Sequence, residues 1–281
     1  MNEPLTLVYA GNRAIFDGIL ISLLSASDNT DHPLQVFVLT MDLTDRNEKF
    51  LPLTEEQRAF LETVLKRKNT KSTVSLVDVG GLYREYLIDS PNTKTAYTPY
   101  SMIRLFLDRI DGIPEKVLYL DADTVAEGDI SELFFTELDG AEFGAVLDHY
   151  GKIFMGYHYI NSGVMLLDLA RIKETGLFRK CIDALNKRRI FLPDQTALNR
   201  KVKRKKLLSR KFNEQKSFCE GTVIRHFTKT IIWHPFFPFF YTKNIKPWNT
   251  DGVRDMTNRY DSLLSKYEQL KGEYDNAIKK N

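Results

Sequence analysis

Asp121-Ala122-Asp123 stands where an apolar run, Val117-Leu118-Tyr119-Leu120, gives way to Thr124-Val125-Ala126-Glu127-Gly128-Asp129. Side chains alternate along an extended chain, so Asp121 and Asp123 leave the end of such a strand on one side. Two carboxylates placed in this way can hold a hard divalent ion and leave positions open for a ligand's phosphates. Acidic residues also close strands simply as turn formers. The apolar strand, the Asp-x-Asp and the turn together suggest nucleotide-sugar chemistry.

The elements that must position this pair alternate in type. Leu5–Ala10 reads as a strand and residues 15–25 as a buried helix, with Leu34–Thr40 as the next strand. Thr54-Glu55-Glu56-Gln57 resembles a capping box, and Phe60, Leu61, Val64 and Leu65 follow on one helix face. Residues 73–79 form a third strand. Pro99 suits the first turn of a helix running to about Asp108, and residues 117–120 then lead into the acidic pair. Strands at 143–148 and 159–169 follow, with helices near 170–187 and 194–202. This alternation predicts an α/β sandwich with a mainly parallel sheet, whose ligands bind beyond the carboxyl ends of the strands.

The bulk composition narrows the class. The chain has 281 residues, 43% hydrophobic and 27% charged, with a formal charge of +3. That is the composition of a soluble globular protein, and the small charge makes no case for nucleic acid. Cys181 and Cys219 form no metal-ligand or redox spacing, which fits a reducing compartment. Met1-Asn2-Glu3-Pro4 does not begin a signal peptide, and no apolar stretch is long enough to span a bilayer. The expected location is cytoplasmic, with a membrane-peripheral position left open.

Over about residues 5–250 the chain resembles glycosyltransferase family 8, the retaining enzymes with a Rossmann-like GT-A domain. The resemblance rests on ordered segments. Leu5–Ala10 with Phe16-Asp17-Gly18-Ile19-Leu20 looks like the family's first strand and helix, and Arg104 stands where the family carries a substrate-binding arginine. Lys116-Val117-Leu118-Tyr119-Leu120-Asp121-Ala122-Asp123 matches its metal motif. Asn161-Ser162-Gly163 resembles its Asn-(Ser/Ala)-Gly segment, Pro193-Asp194-Gln195 its Asp-Gln segment, and Arg225-His226-Phe227 its late metal histidine. Five segments in one order are far more specific than any one of them.

The resemblance implies a mixed sheet within a GT-A nucleotide-sugar-binding domain over residues 1–249. It also implies a UDP-glucose or UDP-galactose donor and a glycan, glycoprotein or glycolipid acceptor. Asp121, Asp123 and His226 would hold manganese or magnesium, and imidazole beside two carboxylates leans towards manganese. Asp194 and Gln195 would flank the donor's anomeric carbon as catalytic residues. Ala10, Asn12, Ile15, Arg104, Ala122, Asp148, Asn161 and Ser162 would contact donor or acceptor. Each has a plainer reading too: a helix salt bridge for Arg104, a turn beside Gly163 for Asn161, a strand cap for Asp148, and a helix start for Pro193-Asp194-Gln195.

Two departures from the family pattern stand out. Gly11-Asn12-Arg13-Ala14-Ile15 replaces the usual acidic and aromatic nucleotide contacts; Asn12 can still bond a base or ribose, but Ile15 cannot stack. The family's Gly-x-x-Lys-Pro-Trp after the histidine is displaced, so either Lys229 or Lys246 serves the diphosphate. The intervening aromatic run at 233–241 fits an acceptor platform, a membrane contact or a buried loop. The basic run at 200–206 fits a solvated helix end or a lipid-facing patch.

Residues 250–281 read as a C-terminal amphipathic extension, with Met256, Tyr260, Leu263, Leu264, Tyr267, Leu270, Tyr274 and Ile278 at helical spacing. Its stripe must cover the domain, a second copy of the chain, or lipid headgroups. Two rival functions remain: a nucleotidyltransferase that makes an activated sugar, and a non-catalytic sugar-nucleotide-binding protein. Gly11-Asn12-Arg13 is a poor nucleotidyltransferase loop, and the intact Asp121, Asp123 and His226 argue against the second.

Overall fold

The computed structural model describes residues 2–93, 98–233 and 240–279, with backbone alone for 230–233 and 240–243. Strand β1 (Leu5–Ala10), helix α1 (Phe16–Asp28), β2 (Leu34–Thr40), α2 (Glu55–Lys68), β3 (Thr73–Asp78) and α3 (Gly80–Tyr86) form the first half. The capping box is present at α2: Gln57 N–H donates to Thr54 Oγ1, and Thr54 N–H donates to the Gln57 side chain. Such a cap is worth about 1 kcal/mol.

β4 (Lys116–Leu120) and β5 (Thr124–Ala126) flank the Asp-x-Asp. They are followed by α4 (Ser131–Phe134), β6 (Phe143–Leu147), α5 (Gly151–Phe154) and β7 (Ile160–Asp168). Next come α6 (Leu169–Thr175), α7 (Leu177–Lys187), α8 (Pro193–Lys201) and β8 (Lys205–Leu207). The chain continues through β9 (Ile224–His226), β10 (Thr230–Trp233), β11 (Phe240–Lys243), α9 (Thr250–Arg254) and α10 (Asp261–Ile278). The central sheet has seven strands in the order β3-β2-β1-β4-β7-β6-β8. It is mixed: β4 with β7 and β6 with β7 run antiparallel, while the β1, β2 and β3 neighbours are parallel. Both faces of this sheet are covered by apolar side chains, one packed on α1 and α2, the other on α6, α7 and residues 103–109.

Three local expectations change. Residues 99–109 form two 3-10 segments, Pro99–Ser101 and Ile103–Arg109, in place of one α-helix. Ile103, Arg104, Leu105, Phe106 and Leu107 are all buried, so the segment has no exposed face around which an amphipathic α-helix could form. The helix expected over 170–187 is two helices, broken at Gly176 with φ +67°, a conformation that suits glycine. Met256, in the turn between α9 and α10, and Ile278, at the end of α10, are exposed and do not join the stripe.

Of the three surfaces the tail could cover, α10 covers the chain's own α1. Leu264, Tyr267, Leu270 and Tyr274 are buried there, and the Tyr274 ring lies 4.7 Å from that of Phe16. Lys266 pairs with Asp28 at 2.7 Å and Lys271 with Asp17 at 3.1 Å. Among the described residues no helix is long and apolar enough to cross a membrane. The basic run is divided between the last turn of α8 and β8, with Lys206 paired to Asp139 at 2.6 Å. Residues 234–239 of the aromatic run and Lys280 of the tail lie outside the described residues.

Candidate active site

Two strand pairings assemble the acidic pair and the late histidine. β5 pairs antiparallel with β9, setting Thr124 opposite His226, and Phe227 N–H donates to Asp123 O at 2.9 Å. On the other side, Asp121 N–H donates to Gly163 O at 2.7 Å, prolonging the β4–β7 ladder. The result places one ligand atom from each of Asp121, Asp123 and His226 within 4.8 Å of one another. His226 Nε2 lies 3.1 Å from Asp123 Oδ1 and 3.9 Å from Asp121 Oδ2.

Gly163 is what permits this approach. A Cβ there would stand 2.1 Å from His226 Cε1 and 2.8 Å from Asp121 Oδ2. Gly18 has the same part on α1: a Cβ would meet Trp248 at 2.6 Å and the Ala122 carbonyl at 2.7 Å. The Asp-x-Asp turn and the Lys246-Pro247-Trp248 segment therefore sit directly on that helix.

The orientation of the imidazole follows from one backbone donor. Gly163 N–H donates to Asn161 Oδ1 at 2.9 Å, which fixes the amide of Asn161. Asn213 must then present its NH₂ to the same oxygen, at 3.0 Å, and its Oδ1 to His226 Nδ1, at 3.2 Å. Nδ1 then faces the Asn213 oxygen, and Nε2 is the ring nitrogen that faces the two carboxylates. Two carboxylate oxygens and an imidazole nitrogen converge on one point, a set of ligand atoms that suits a divalent cation. Burial by itself would raise the Asp123 carboxyl, but the adjoining His226 and Lys246 hold it well below the usual carboxylate range. It is ionised and ready to ligate.

Behind the acidic pair lies a polar ring, buried except at the half-buried Asp148 and Asp121. Asn161 Nδ2 and Gln195 Nε2 both donate to Asp148 Oδ2, at 2.9 and 3.1 Å. Gln195 Oε1 accepts from Ser162 N–H at 3.1 Å, and the Ser162 carbonyl accepts from Arg104. Arg104 donates in turn to Asp121 Oδ1 at 2.9 Å and pairs with Asp194 Oδ2 at 3.2 Å, its guanidinium stacked 4.0 Å over the Tyr119 ring. Burial raises the Asp194 carboxyl and the Arg104 cation opposes that rise. Arg104 is thus a buried clamp between two carboxylates, on a 3-10 segment where the plain expectation was a salt bridge on a helix.

The structure brings together Arg104, Asp121, Asp123, Asp148, Asn161, Ser162, Asp194, Gln195, His226 and Lys246. Lys246 pairs with Asp123 and donates to the Phe227 carbonyl at 3.1 Å, whereas Lys229 is exposed. Ala122 is half-buried in the turn between the two acids. Ala10, Asn12 and Ile15 lie at the end of β1 and the start of α1; Asn12 is buried, its amide donating to Lys49 O at 3.2 Å. Asn213 is the member that sequence reasoning missed. The only hint was Asn213-Glu214-Gln215, three polar residues in an irregular stretch, and all three prove buried.

Residues 5–252 match the model of the family "Glycosyl transferase family 8". The chain belongs to glycosyl transferase family 8 and is a glycosyltransferase with the GT-A fold. Among its relatives is an Escherichia coli lipopolysaccharide 1,2-glucosyltransferase, 27% identical, covering 96% of this chain and 88% of the relative. A Salmonella typhimurium lipopolysaccharide 1,3-galactosyltransferase is 28% identical over 71% of this chain and 62% of the relative. In fold, the chain is similar to the galactosyltransferase LgtC solved with donor and acceptor sugar analogs. The TM-score is 0.68 at 17% identity, with 93% of this chain and 96% of that one covered.

Proposed function

We propose that the protein transfers a hexose from a UDP-sugar to a hydroxyl of a glycan or glycolipid, with a divalent ion, manganese before magnesium, at Asp121, Asp123 and His226. The observation that carries this is the convergence of those three ligand atoms beside the ring of Asp148, Asn161 and Gln195. The ion, when bound, would supply charge stabilisation for the departing diphosphate. Lys246 pairs with Asp123, which supports Lys246 over Lys229 as the lysine that would meet the same phosphates. The relatives named above act on lipopolysaccharide, one as a glucosyltransferase and the other as a galactosyltransferase, and glucose is the donor sugar we favour.

The reaction retains the anomeric configuration. The bond from C1 to the β-phosphate oxygen breaks, the acceptor oxygen bonds C1 from the same face, and its proton passes to the departing phosphate. Asp194, the alternative nucleophile, has its carboxylate buried against Arg104, which favours front-face attack over a covalent intermediate. Residues 1–249 carry the site, and the 250–281 extension supports it by packing on α1. The enzyme works in the cytoplasm at the membrane face where such acceptors lie.

The test is UDP release from a UDP-sugar panel with manganese, comparing wild type with Asp123→Asn. UDP-glucose should be turned over, and the variant should lose at least about 100-fold, since one ligand of the ion is gone. Proton NMR should find an α-linkage from a UDP-α-hexose. Wild-type turnover by the variant would remove the metal assignment, and a β-linked product would remove the retaining one.

A further inference from the structure

The end of β6 beyond Asp148 opens into a pocket of about 240 Å³. Val146, Leu147 and Leu208 line it with apolar surface, and His149, Lys152, Arg210 and Lys216 are the basic residues around it. Asn213, the partner of His226, lines it as well, so the pocket adjoins the support of the proposed metal ligand. Its wall is fixed by Gln215, which accepts from His149 N–H at 2.9 Å and donates to the Leu147 carbonyl at 3.1 Å.

The charges around this pocket do not balance. Its one acidic lining residue, Glu214, is buried and fully engaged. It pairs with Arg210 at 2.5 Å and accepts from the backbone N–H groups of Lys216 and Ser217 at 2.8 and 3.0 Å. Lys152 and Lys216 have no carboxylate partner among the described residues, and both are exposed. Burial first, and then the nearby Lys216, Lys152 and Arg210, push the His149 imidazole below its usual value, against the opposing Asp148 carboxylate. The volume falls below the ~300–1,000 Å³ of typical small-molecule sites, about right for one sugar and a charged group.

We propose that this pocket is an acceptor subsite for a phosphorylated sugar, its phosphate drawn by Lys152 and Lys216 and its ring lying towards Asp148. The name acceptor rests on the glycosyl-transfer reading above; the binding of a sugar phosphate does not. Two ammonium groups flanking a phosphate form a point-charge site, tolerant of geometry and sensitive to salt.

The experiment follows the His149 imidazole by NMR, assigned with His149→Gln, in protein free of metal and UDP. Glucose 6-phosphate, glucose and inorganic phosphate are titrated into wild type and Lys152→Gln/Lys216→Gln. Both lysines are exposed, so the double variant should fold. Glucose 6-phosphate should shift the resonance, glucose should not, and the double variant should bind the ester at least about 10-fold more weakly. No response, or an equal response in the double variant, would overturn the proposal. Inorganic phosphate binding as tightly as the ester would also overturn it, since the pocket would then hold a free ion and read no sugar. Metal-dependent UDP binding, measured alongside, separates the two ideas. Its absence would sink glycosyl transfer and leave the pocket standing, while its presence with a silent His149 would sink the pocket alone.

Discussion

Gly163→Ala tests the site without touching any residue assigned to metal or substrate. The new Cβ would lie 2.1 Å from His226 Cε1. Ordinary carbon contacts begin near 3.5 Å, so one partner must yield by roughly 1.4 Å. If the ring yields, it loses its bond to Asn213, worth about 1 kcal/mol, and Nε2 no longer points at the carboxylates. If β7 yields, the bond from Asp121 N–H to Gly163 O stretches and Asp121 moves with it. Either route strains a packed interior by about 1–3 kcal/mol. Either also misplaces a ligand, for which losses of about 10–100-fold in metal affinity are usual. Manganese binding in the presence of UDP, followed by calorimetry or electron paramagnetic resonance, should weaken by that factor, and the melting temperature should fall. Gly272→Ala is the control: nothing lies within 4 Å of a Cβ there, and the position is in α10, so binding should not change. A Gly163→Ala protein that bound manganese and UDP like wild type, with an unchanged melting temperature, would refute the close approach of β7 and His226.

Lys246→Ala should weaken UDP binding at least about 10-fold and Lys229→Ala should leave it unchanged, because only Lys246 reaches Asp123; equal losses by calorimetry would reject that choice. Burial would raise the Glu214 carboxyl, but Arg210 and the Ser217 and Lys216 N–H groups hold it below its ordinary value. Its stabilisation is therefore complete above the unfolded value near ~4.3 and is lost as pH falls through the lower folded value. Glu214→Gln should flatten the loss of melting temperature below about pH 4, and an identical acid limb would count against this. Deleting residues 255–281 removes Tyr260, Leu264, Tyr267, Leu270 and Tyr274 from the core. At about 1.5–3 kcal/mol each, that is ~7–15 kcal/mol gross, comparable with a whole domain's ~5–15 kcal/mol. A truncated chain that stayed folded and monodisperse would show that α10 is dispensable.

What was legible in the sequence was what is local. Asp121 and Asp123 are two residues apart at a strand end, and their shared direction follows from strand geometry alone. The α2 cap and the α10 stripe are likewise short-range patterns, and both elements formed. Antiparallel insertion of β7 beside β4 was not visible as periodicity, and the resemblance implied only that the sheet is mixed. Residues 103–107 misled because Pro99 suits the first turn of an α or a 3-10 helix alike, and five consecutive buried residues carry no period that tells the two apart. The choice between Lys229 and Lys246 could not be made either. It turns on where the chain after β9 returns to α1; Trp248 packs over Gly18 there, and Lys246 pairs with Asp123.

His226 and Asn213 show why the remainder of the site needed three dimensions. The histidine lies more than a hundred residues from the acidic pair, yet β5–β9 register sets it opposite Thr124, the residue that follows Asp123. Its ring is then oriented by a backbone N–H on a third strand, relayed through Asn161 and Asn213. From the same Asn161 the ring runs on to Asp148, Gln195, Ser162 and Arg104, and back to Asp121. Every member has a partner on each side, so a change at one must be absorbed by its neighbours or leave a buried polar group unpaired. Asp148 therefore joins the ligand set at β4 and β9 to the basic pocket beyond β6. Substitutions at Asn161 or Gln195 should then act on donor and acceptor binding together, even where neither side chain touches the acceptor.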